Sequence, residues 1–129
     1  MREIKFRAKN DLYGWVYGDY SRCVSKYKTG DTFHYIVLNF SDEYEVSEES
    51  IGQYTGLKDK DGREVYEGDI VKGRYCEYGK ERRFIGKVKF ISCCFKVEGV
   101  KQYSGMIREL TNNYEVIGNI HENKEMLGE

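Results

Sequence analysis

Residues 54–71, YTGLKDKDGREVYEGDIV, carry the clearest structural signal in this chain of 129 residues. At its centre, Asp61 and Gly62 form a tight-turn dipeptide, because glycine takes positive φ angles without steric cost. Apolar residues flank the dipeptide on both sides, as in two paired strands. The stretch therefore predicts a β-hairpin.

The composition extends that prediction to the rest of the chain. It contains 12 Tyr, 6 Phe, 14 Gly and no Pro, a balance typical of half-buried sheets with glycine turns. Near the N-terminus, Ile4, Phe6 and Ala8 alternate with charged residues, which predicts a strand with one core face and one wet face carrying Arg7. Further strands are predicted at 15–20, 33–40, 51–54, 69–75, 84–91, 93–100 and 114–120, and a short helical turn at 122–127.

These elements predict a mainly β protein with a single domain over residues 1–129. We expect an N-terminal β-hairpin or sheet lobe, about residues 1–53, packed on a small Src-homology-3-like (SH3-like) β-barrel lobe at 54–129. The barrel is predicted by analogy, from the run Gly68-Asp69-Ile70-Val71 and the following Gly86-Lys87-Val88. The chain has no repeat and no flexible linker, so the two lobes are expected to form one body.

The overall charge and the cysteine content narrow the class of protein. Lys and Arg total 21 against 22 Asp and Glu, so the net charge of -1 predicts no general affinity for polyanions. The opening MREIKFRAK is too charged for a signal or an anchor, and no segment approaches the roughly 18 apolar residues of a membrane span. Four cysteines are too few for a disulfide framework. We therefore expect a cytoplasmic chain with free thiols and no membrane partner.

Three segments that resemble functional motifs fail on spacing. The run GRYCEYGK at 73–80 has its glycines too far apart for a phosphate-binding loop and lacks the following Ser or Thr. In the calcium-loop pattern the glycine stands at position six, whereas Gly62 comes at position four after Asp59. Glu67 and Asp69 flank a glycine, and this spacing is more typical of a turn held by side chain to backbone hydrogen bonds than of paired catalytic carboxylates.

The cysteines and histidines give no metal or catalytic signature. Cys93 and Cys94 are adjacent, so on a strand they point to opposite faces and cannot hold one zinc ion together. Cys93 is expected in the core. No local arrangement marks a nucleophile with its base, so we predict no catalytic residue, no metal, no cofactor and no enzyme activity. A metal site assembled across the fold has no spacing signature, and its candidate ligands are Cys23, Cys76, His34 and His121.

Charge is distributed unevenly along the chain. Residues 41–50 carry five acids and no Lys or Arg, which predicts a solvated loop or a short helical turn. Residues 72–89 are rich in Lys and Arg interleaved with aromatics, a combination that stacks bases and neutralises phosphates. A solvated hairpin is the simpler interpretation, and a contact between the acidic and basic segments of neighbouring copies is another. The predicted ligand-binding residues are Arg74, Tyr75, Tyr78, Arg82 and Arg83.

Four blocks of sequence, in order, resemble the YopX-like proteins carried by bacteriophages and prophages. They are REIKFRA at 2–8, YGD at 17–19, GQYTGLKD at 52–59 with EGDIV at 67–71, and VIGNI at 116–120 with Glu122 and Asn123. Lys9 stands where the family has an aromatic and Lys124 where it has a proline. The resemblance implies a β-rich viral accessory protein in the cytoplasm of a bacterial host, and it transfers no active site.

These observations lead to a functional hypothesis. We expect a non-enzymatic phage or prophage accessory protein, forming a homo-oligomer, that masks a host protein or sequesters a small anionic, nucleotide-like ligand. The alternative is a single-stranded nucleic-acid-binding protein of the small-barrel type using the same basic segment, a partner less expected than a nucleotide. A third hypothesis, an enzyme whose acids meet only in the fold, requires a cleft with convergent carboxylates.

Overall fold

The chain folds into two compact units, Met1–Tyr54 and Thr55–Glu129. The computed structural model describes residues 3–24, 32–38 and 42–128, with the backbone alone at 23 and 24. These residues form antiparallel sheets, which confirms the mainly β prediction, and the only helical elements among them are 3-10 turns. None of the described helices is long enough to cross a membrane. The turns are Glu48–Ser50, Lys101–Tyr103 and Lys124–Leu127, the last within the predicted C-terminal helical turn.

The first unit is an antiparallel sheet in which the strands follow the order β4-β3-β2-β1-β5. Its buried core is small and aliphatic, formed by Ala8, Val16, Ile36 and Val46, and half-buried aromatics pack around it. The predicted strand at 33–40 is present as β3, although its last two residues lie outside the described ones. The strands are β1 Phe6–Asn10, β2 Gly14–Val24, β3 Thr32–Leu38, β4 Asp42–Val46 and β5 Gly52–Lys58.

The predicted faces of the first strand are only partly correct. Ala8 is buried as expected, but Ile4 is 64% exposed, and Arg7, assigned to the wet face, is buried. The guanidinium of Arg7 lies 4.9 Å from the centroid of the Trp15 ring. A cation over an indole ring gains an attraction that offsets part of the cost of desolvating it. This contact between neighbouring strands depends on the pairing of β1 with β2.

The acidic segment at 41–50 was predicted as a solvated loop or a short helical turn. Glu48–Ser50 do form a short 3-10 turn, but the prediction is wrong for residues 42–46. Residues 42–46 form β4, which pairs with β3 in the register Ile36 to Tyr44. Val46 is buried and Tyr44 is half-buried, so the segment keeps a period-two pattern beneath its acids. The acids Asp42, Glu43 and Glu45 are exposed. Charged side chains on an outer strand discourage unwanted pairing with other chains.

The second unit contains a five-stranded antiparallel sheet in the order β10-β9-β8-β7-β11. Among the described residues this sheet is open, with β10 and β11 at its ends, so the predicted SH3-like barrel is not confirmed. β10 is a strand of three residues that the sequence did not predict. The strands are β6 Glu64–Tyr66, β7 Asp69–Glu77, β8 Lys80–Ile91, β9 Cys94–Gly99, β10 Ile107–Glu109 and β11 Glu115–Asn119. The buried core consists of Val65, Val71, Phe84, Val88, Val97, Leu110, Tyr114 and Val116.

Cys93 was expected in this core, and that expectation is wrong. Cys93 is exposed, because it lies in the turn between β8 and β9 and not on a strand. Cys76 and Cys94 are also exposed free thiols, as expected. The side chain of Cys23 lies outside the described part of the chain.

The predicted hairpin at residues 54–71 is present as β5, a tight turn and β6. Thr55 on β5 donates its hydroxyl proton to the carbonyl oxygen of Val65 on β6 at 2.8 Å. The amide of Asp59 donates to the carbonyl of Arg63 at 2.7 Å, closing the turn, and Gly62 has the expected positive φ of 87°.

The side chain of Asp59 does more than close this turn. One carboxylate oxygen accepts the amides of Asp61 and Arg63, each at 2.9 Å, and the other accepts the amide of Val116 at 3.0 Å. Val116 belongs to β11, so a single buried carboxylate ties the hairpin turn to the edge strand of the sheet. Lys60, next in the chain, donates its amide to the carbonyl of Tyr114 at 2.9 Å and strengthens the same junction.

Asp69 acts in the same way in the next turn. Its carboxylate is buried and accepts the amide of Tyr66 at 2.8 Å. Gly68, between them, has a φ of 93°, a conformation that other residues rarely adopt. This geometry confirms that Asp69 holds the turn.

We predict that Asp59→Asn lowers the free energy of unfolding by about 2 kcal/mol or more at neutral pH, because one buried amide loses a charged acceptor and faces a donor instead. Asp61→Asn is the matched control in the same turn, where the side chain is exposed, and its expected change is within about 0.5 kcal/mol. Urea denaturation of the three proteins measures both. Equal stabilities for the two variants would contradict the role of Asp59.

The same carboxylate predicts a loss of stability in acid. Burial raises the pKa of Asp59, but the hydrogen bonds from Val116, Arg63 and Asp61, with the charge of Arg63, lower it by more, to below the ordinary 3.8. Its contribution is therefore complete above about pH 5 and is lost as the pH falls through the ordinary pKa towards the lowered one. Denaturation at pH 6 and pH 3 is expected to show the difference between wild type and Asp59→Asn shrinking at the lower pH.

Candidate functional site

The β7–β8 hairpin carries the five predicted ligand-binding residues, and its register divides them. Tyr75 lies opposite Arg82, and Arg74 lies opposite Arg83. Opposite residues of an antiparallel pair share a face, and successive residues point to opposite faces. The structure therefore places Tyr75 and Arg82 on one face, Arg74 and Arg83 on the other, and Tyr78 in the turn. The five residues do not converge on one point.

Tyr75 lies at the rim of the core. Its ring meets the ring of Phe84 edge-on, with the two centroids 6.1 Å apart. The guanidinium of Arg108 lies 3.8 Å from the centroid of the Tyr75 ring. The Nε atom of Arg108 is buried and makes no hydrogen bond within the described part of the chain. Arg82, on the same face, approaches Glu77 at 3.7 Å. One side of the Tyr75 ring is thus already covered by a cation.

On the outer face and at the turn, the other predicted residues have different surroundings. Arg83 donates from Nε to the hydroxyl of Tyr103 at 3.1 Å. Arg74 pairs with Glu81 at 3.6 Å, and both side chains are largely exposed. Tyr78 is 94% exposed, with a positive φ of 51°. Of these residues, Tyr78 presents the most open ring.

Arg74 also lines a groove on the outer face, called here the β7–β11 groove. Glu115 of β11 lies opposite Lys72 of β7 in the register, so the two side chains share this face. Lys60, from the turn held by Asp59, pairs with Glu115 at 3.2 Å. The groove has a volume of about 340 Å³ and is lined by Lys60, Lys72, Gly73, Arg74, Glu81, Asn113 and Glu115.

The groove combines three cations with two carboxylates. Each carboxylate is paired, Glu115 with Lys60 and Glu81 with Arg74, whereas Lys72 forms no ion pair with any acid that the structure describes. The ion pairs are solvent-exposed, and exposed pairs contribute only about 0–1 kcal/mol each. Both pairs can therefore open at little cost when a stronger anion arrives.

At Gly73, β7 packs directly against the ring of Tyr114, the residue that precedes β11. A Cβ atom at Gly73 would lie 2.6 Å from the ring of Tyr114, so only glycine lets that ring pack against β7. Burial raises the pKa of Tyr114, and the charge of Arg108 acts in the opposite direction. The groove thus depends on two buried groups: the carboxylate of Asp59, which holds the Lys60 turn against β11, and the ring of Tyr114, which packs against β7 at Gly73.

Sequence reasoning missed the part of the groove that lies outside the basic segment 72–89. Lys60, Asn113 and Glu115 come from segments far from the basic run, and only the pairing of β11 with β7 brings them to it. The sequence also carried no sign that Glu98 of β9 pairs with Lys87 at 3.4 Å and with Lys89 at 3.7 Å. These pairs reduce the positive charge of the C-terminal half of β8. Arg108 carried no signal, because its strand has only three residues.

His34, one of the candidate metal ligands, has a structural environment. Its Nδ1 lies 2.6 Å from the hydroxyl of Tyr20, and its Nε2 lies 3.7 Å from a carboxylate oxygen of Glu48. Within the described ranges no three His, Cys, Asp or Glu side chains are grouped so that they could hold a metal ion. His121 is half-buried.

The fold and the groove together define a small two-unit β protein that presents a polar, cation-lined groove on one open sheet. A family model described as YopX protein matches residues 5–128, so the chain belongs to the YopX family. This confirms the resemblance noted in the sequence.

Two solved structures share the fold. The crystal structure of protein EF1440 from Enterococcus faecalis is 25% identical, with a TM-score of 0.52 over 98% of this chain and 99% of that one. The crystal structure of protein yopX from Bacillus subtilis is 18% identical, with a TM-score of 0.52 over 98% of this chain and 97% of that one. No curated protein matches the sequence.

We predict that Tyr75→Leu lowers the free energy of unfolding by about 1–2 kcal/mol, because it removes the aromatic face beneath Arg108 and the edge contact with Phe84. Tyr78→Leu is the matched control, because Tyr78 is exposed in the turn and makes no ring contact among the described residues. It is expected to change the free energy of unfolding by less than about 0.5 kcal/mol. Chemical denaturation compares the two variants. A larger loss for Tyr78→Leu would show that the assignment of Tyr75 to the core rim is wrong.

Proposed function

We propose that this YopX-family chain is a non-enzymatic accessory protein of a phage or prophage that binds a nucleotide-sized, phosphate-bearing anion in the β7–β11 groove. The observation that carries the proposal is the groove itself. It is concave, it has the volume of a small ligand, and Lys72 stands in it as a cation without an acidic partner among the described residues. Small-molecule sites are typically concave clefts with a few convergent polar groups.

The chemistry of the lining fits a phosphate. Arg74 offers a planar fork of donors that matches phosphate oxygens, and Lys60 and Lys72 offer compact positive charges. When a phosphate enters, Arg74 releases the carboxylate of Glu81 and binds the phosphate, which carries more negative charge. Asn113 supplies both a donor and an acceptor for the uncharged part of the ligand.

The other predicted residues support the proposal less directly. Arg82 and Arg83 add positive potential on the two faces of the hairpin, which speeds the approach of an anion. Tyr75 holds Arg108. Sequestration of a small ligand and masking of a host protein are two ways in which such an accessory protein acts, and the groove favours the first.

Oligomerisation is part of the proposal. The first unit carries exposed acids on β4, and the second carries exposed cations on the β7–β8 hairpin. Opposite charges on two surfaces of one chain favour a head-to-tail contact between copies, and such contacts close into rings when the rotation allows it.

A second candidate function is binding of single-stranded nucleic acid. It is favoured by the cations on both faces of the hairpin together with the exposed ring of Tyr78 at its end. A flexible strand can contact both faces and the end at once, whereas a small ligand contacts one. All five predicted residues belong to this candidate.

Native mass spectrometry of the full chain with ATP as probe tests the first candidate and reports the number of copies. We expect a discrete ATP adduct for wild type and at least about tenfold weaker binding for the double variant Lys72→Ala with Arg74→Ala, because charge-assisted hydrogen bonds contribute about 1.5–3 kcal/mol.

The matched control is the double variant Lys80→Ala with Arg82→Ala, which removes the same charge from the other face of the same hairpin. It is expected to bind ATP almost as wild type does. If this control loses binding while the groove variant keeps it, or if wild type takes up no ATP at about 1 mM, the groove is not the site.

Salt separates the two candidates. The affinity for an oligothymidylate is expected to fall steeply with salt for a strand binder, with a slope of about 0.7 per phosphate neutralised, whereas the affinity for ATP falls little. Fluorescence anisotropy at several salt concentrations measures this. A steep slope that disappears when Arg82 and Arg83 are both replaced by Ala would favour the strand binder.

A further inference from the structure

The turn between β8 and β9 contains an unusual choice of residues. Ile91 pairs with Cys94, which leaves Ser92 and Cys93 as a two-residue hairpin loop. Their φ angles are 50° and 69°, so both adopt the left-handed conformation of a type I′ turn. Such turns are usually Asn-Gly, because other residues pay about 1–2 kcal/mol each for this conformation. The sequence therefore keeps a cysteine at a position where glycine would be more stable.

That cysteine is next to a second one, and both are exposed. The thiol of Cys94 lies 3.7 Å from the carbonyl oxygen of Ile91, to which it donates a weak hydrogen bond. Cys76, the other described free thiol, lies opposite Glu81 near the far end of β8. Nine residues of β8 lie between Glu81, which is opposite Cys76, and Ile91, which is opposite Cys94, and they span roughly 30 Å of extended chain. Cys93 and Cys94 are thus a local pair of accessible thiols.

We propose that Cys93 and Cys94 are a reversible oxidation site, a vicinal dithiol that a peroxide converts to a disulfide. The sulfur of Cys93 attacks one peroxide oxygen, the O–O bond breaks, and the second oxygen leaves with a proton as water or an alcohol. The sulfur of Cys94 then attacks the sulfenic acid on Cys93, the S–S bond forms, and a water molecule leaves. Two thiols are oxidised by two electrons and one peroxide is reduced.

Cys93 is assigned the first step because its neighbour's thiol is engaged with a carbonyl. Adjacent Cα atoms are only about 3.8 Å apart, less than the roughly 4.4–6.8 Å of ordinary disulfides, so the bond is strained and easily reduced. A strained, exposed disulfide is labile and therefore suited to cycling.

Closing the ring changes the backbone at the end of the hairpin. Because adjacent Cα atoms are closer together than those of ordinary disulfides, we expect ring closure to twist the peptide between Cys93 and Cys94 and to open the pairing of Ile91 with Cys94. The next pair along the ladder is Phe90 with Phe95, whose rings lie 5.1 Å apart, and Phe90 is already 52% exposed. Oxidation is therefore expected to loosen this end and expose more of the phenylalanine pair.

Peroxide treatment of the reduced full chain, followed by thiol alkylation and peptide mass mapping, tests the proposal. We expect Cys93 and Cys94 to lose their thiols together, with a mass decrease of about 2 Da that dithiothreitol reverses. Hydrogen exchange is expected to quicken at the β8–β9 end and to stay unchanged in the β7–β8 hairpin.

Three variants make the result decisive. Cys94→Ser is expected to leave a sulfenic acid on Cys93 that dimedone traps, Cys93→Ser to remove the mass change, and the matched control Cys76→Ser to behave as wild type. The proposal is overturned if Cys76 is oxidised as fast as the pair, if the product is a covalent dimer on a non-reducing gel, or if only one thiol of the pair is consumed.

Discussion

The second unit is organised around one buried carboxylate. Asp59 accepts three backbone amides, two from its own turn and one from β11, at distances of 2.9–3.0 Å. An ionised carboxylate away from water is stable only when its oxygens are saturated in this way, and the amides in turn have no other acceptor of equal strength. The position of β11 and that of the Lys60 turn therefore depend on each other. The β7–β11 groove exists because both are held.

The alternation of side chains along the β7–β8 hairpin decides what its charges can do. Arg82 and Arg83 are neighbours in sequence, so they lie on opposite faces of the sheet. The face of Tyr75 and Arg82 borders the core, where the ring of Tyr75 contacts the guanidinium of Arg108. The opposite face is exposed, and its Lys72 and Arg74 line the β7–β11 groove. A basic run in a strand is therefore two smaller charge clusters, each with its own neighbours.

Local patterns predicted much of this fold. The Asp61-Gly62 turn, the period-two alternation and the glycine spacing predicted the mainly β class, the central hairpin and most strand positions, because these depend on neighbours within a few residues. The prediction failed for β4, where three acids obscured the alternation of Tyr44 and Val46. It also failed for Cys93, which lies in an exposed turn and not in the core. Arg7 was placed on the wet face, because its partner Trp15 lies on the next strand.

The sequence by itself determined the mainly β class, most of the strands, the family and the basic character of residues 72–89. Only the tertiary structure decided which of those cations share a face, which are paired with acids such as Glu98, and which meet Lys60 and Glu115 across the groove. The physical reason is that strand pairing joins residues far apart in the chain. Their register depends on the whole set of buried contacts and hydrogen bonds, and no local pattern encodes it.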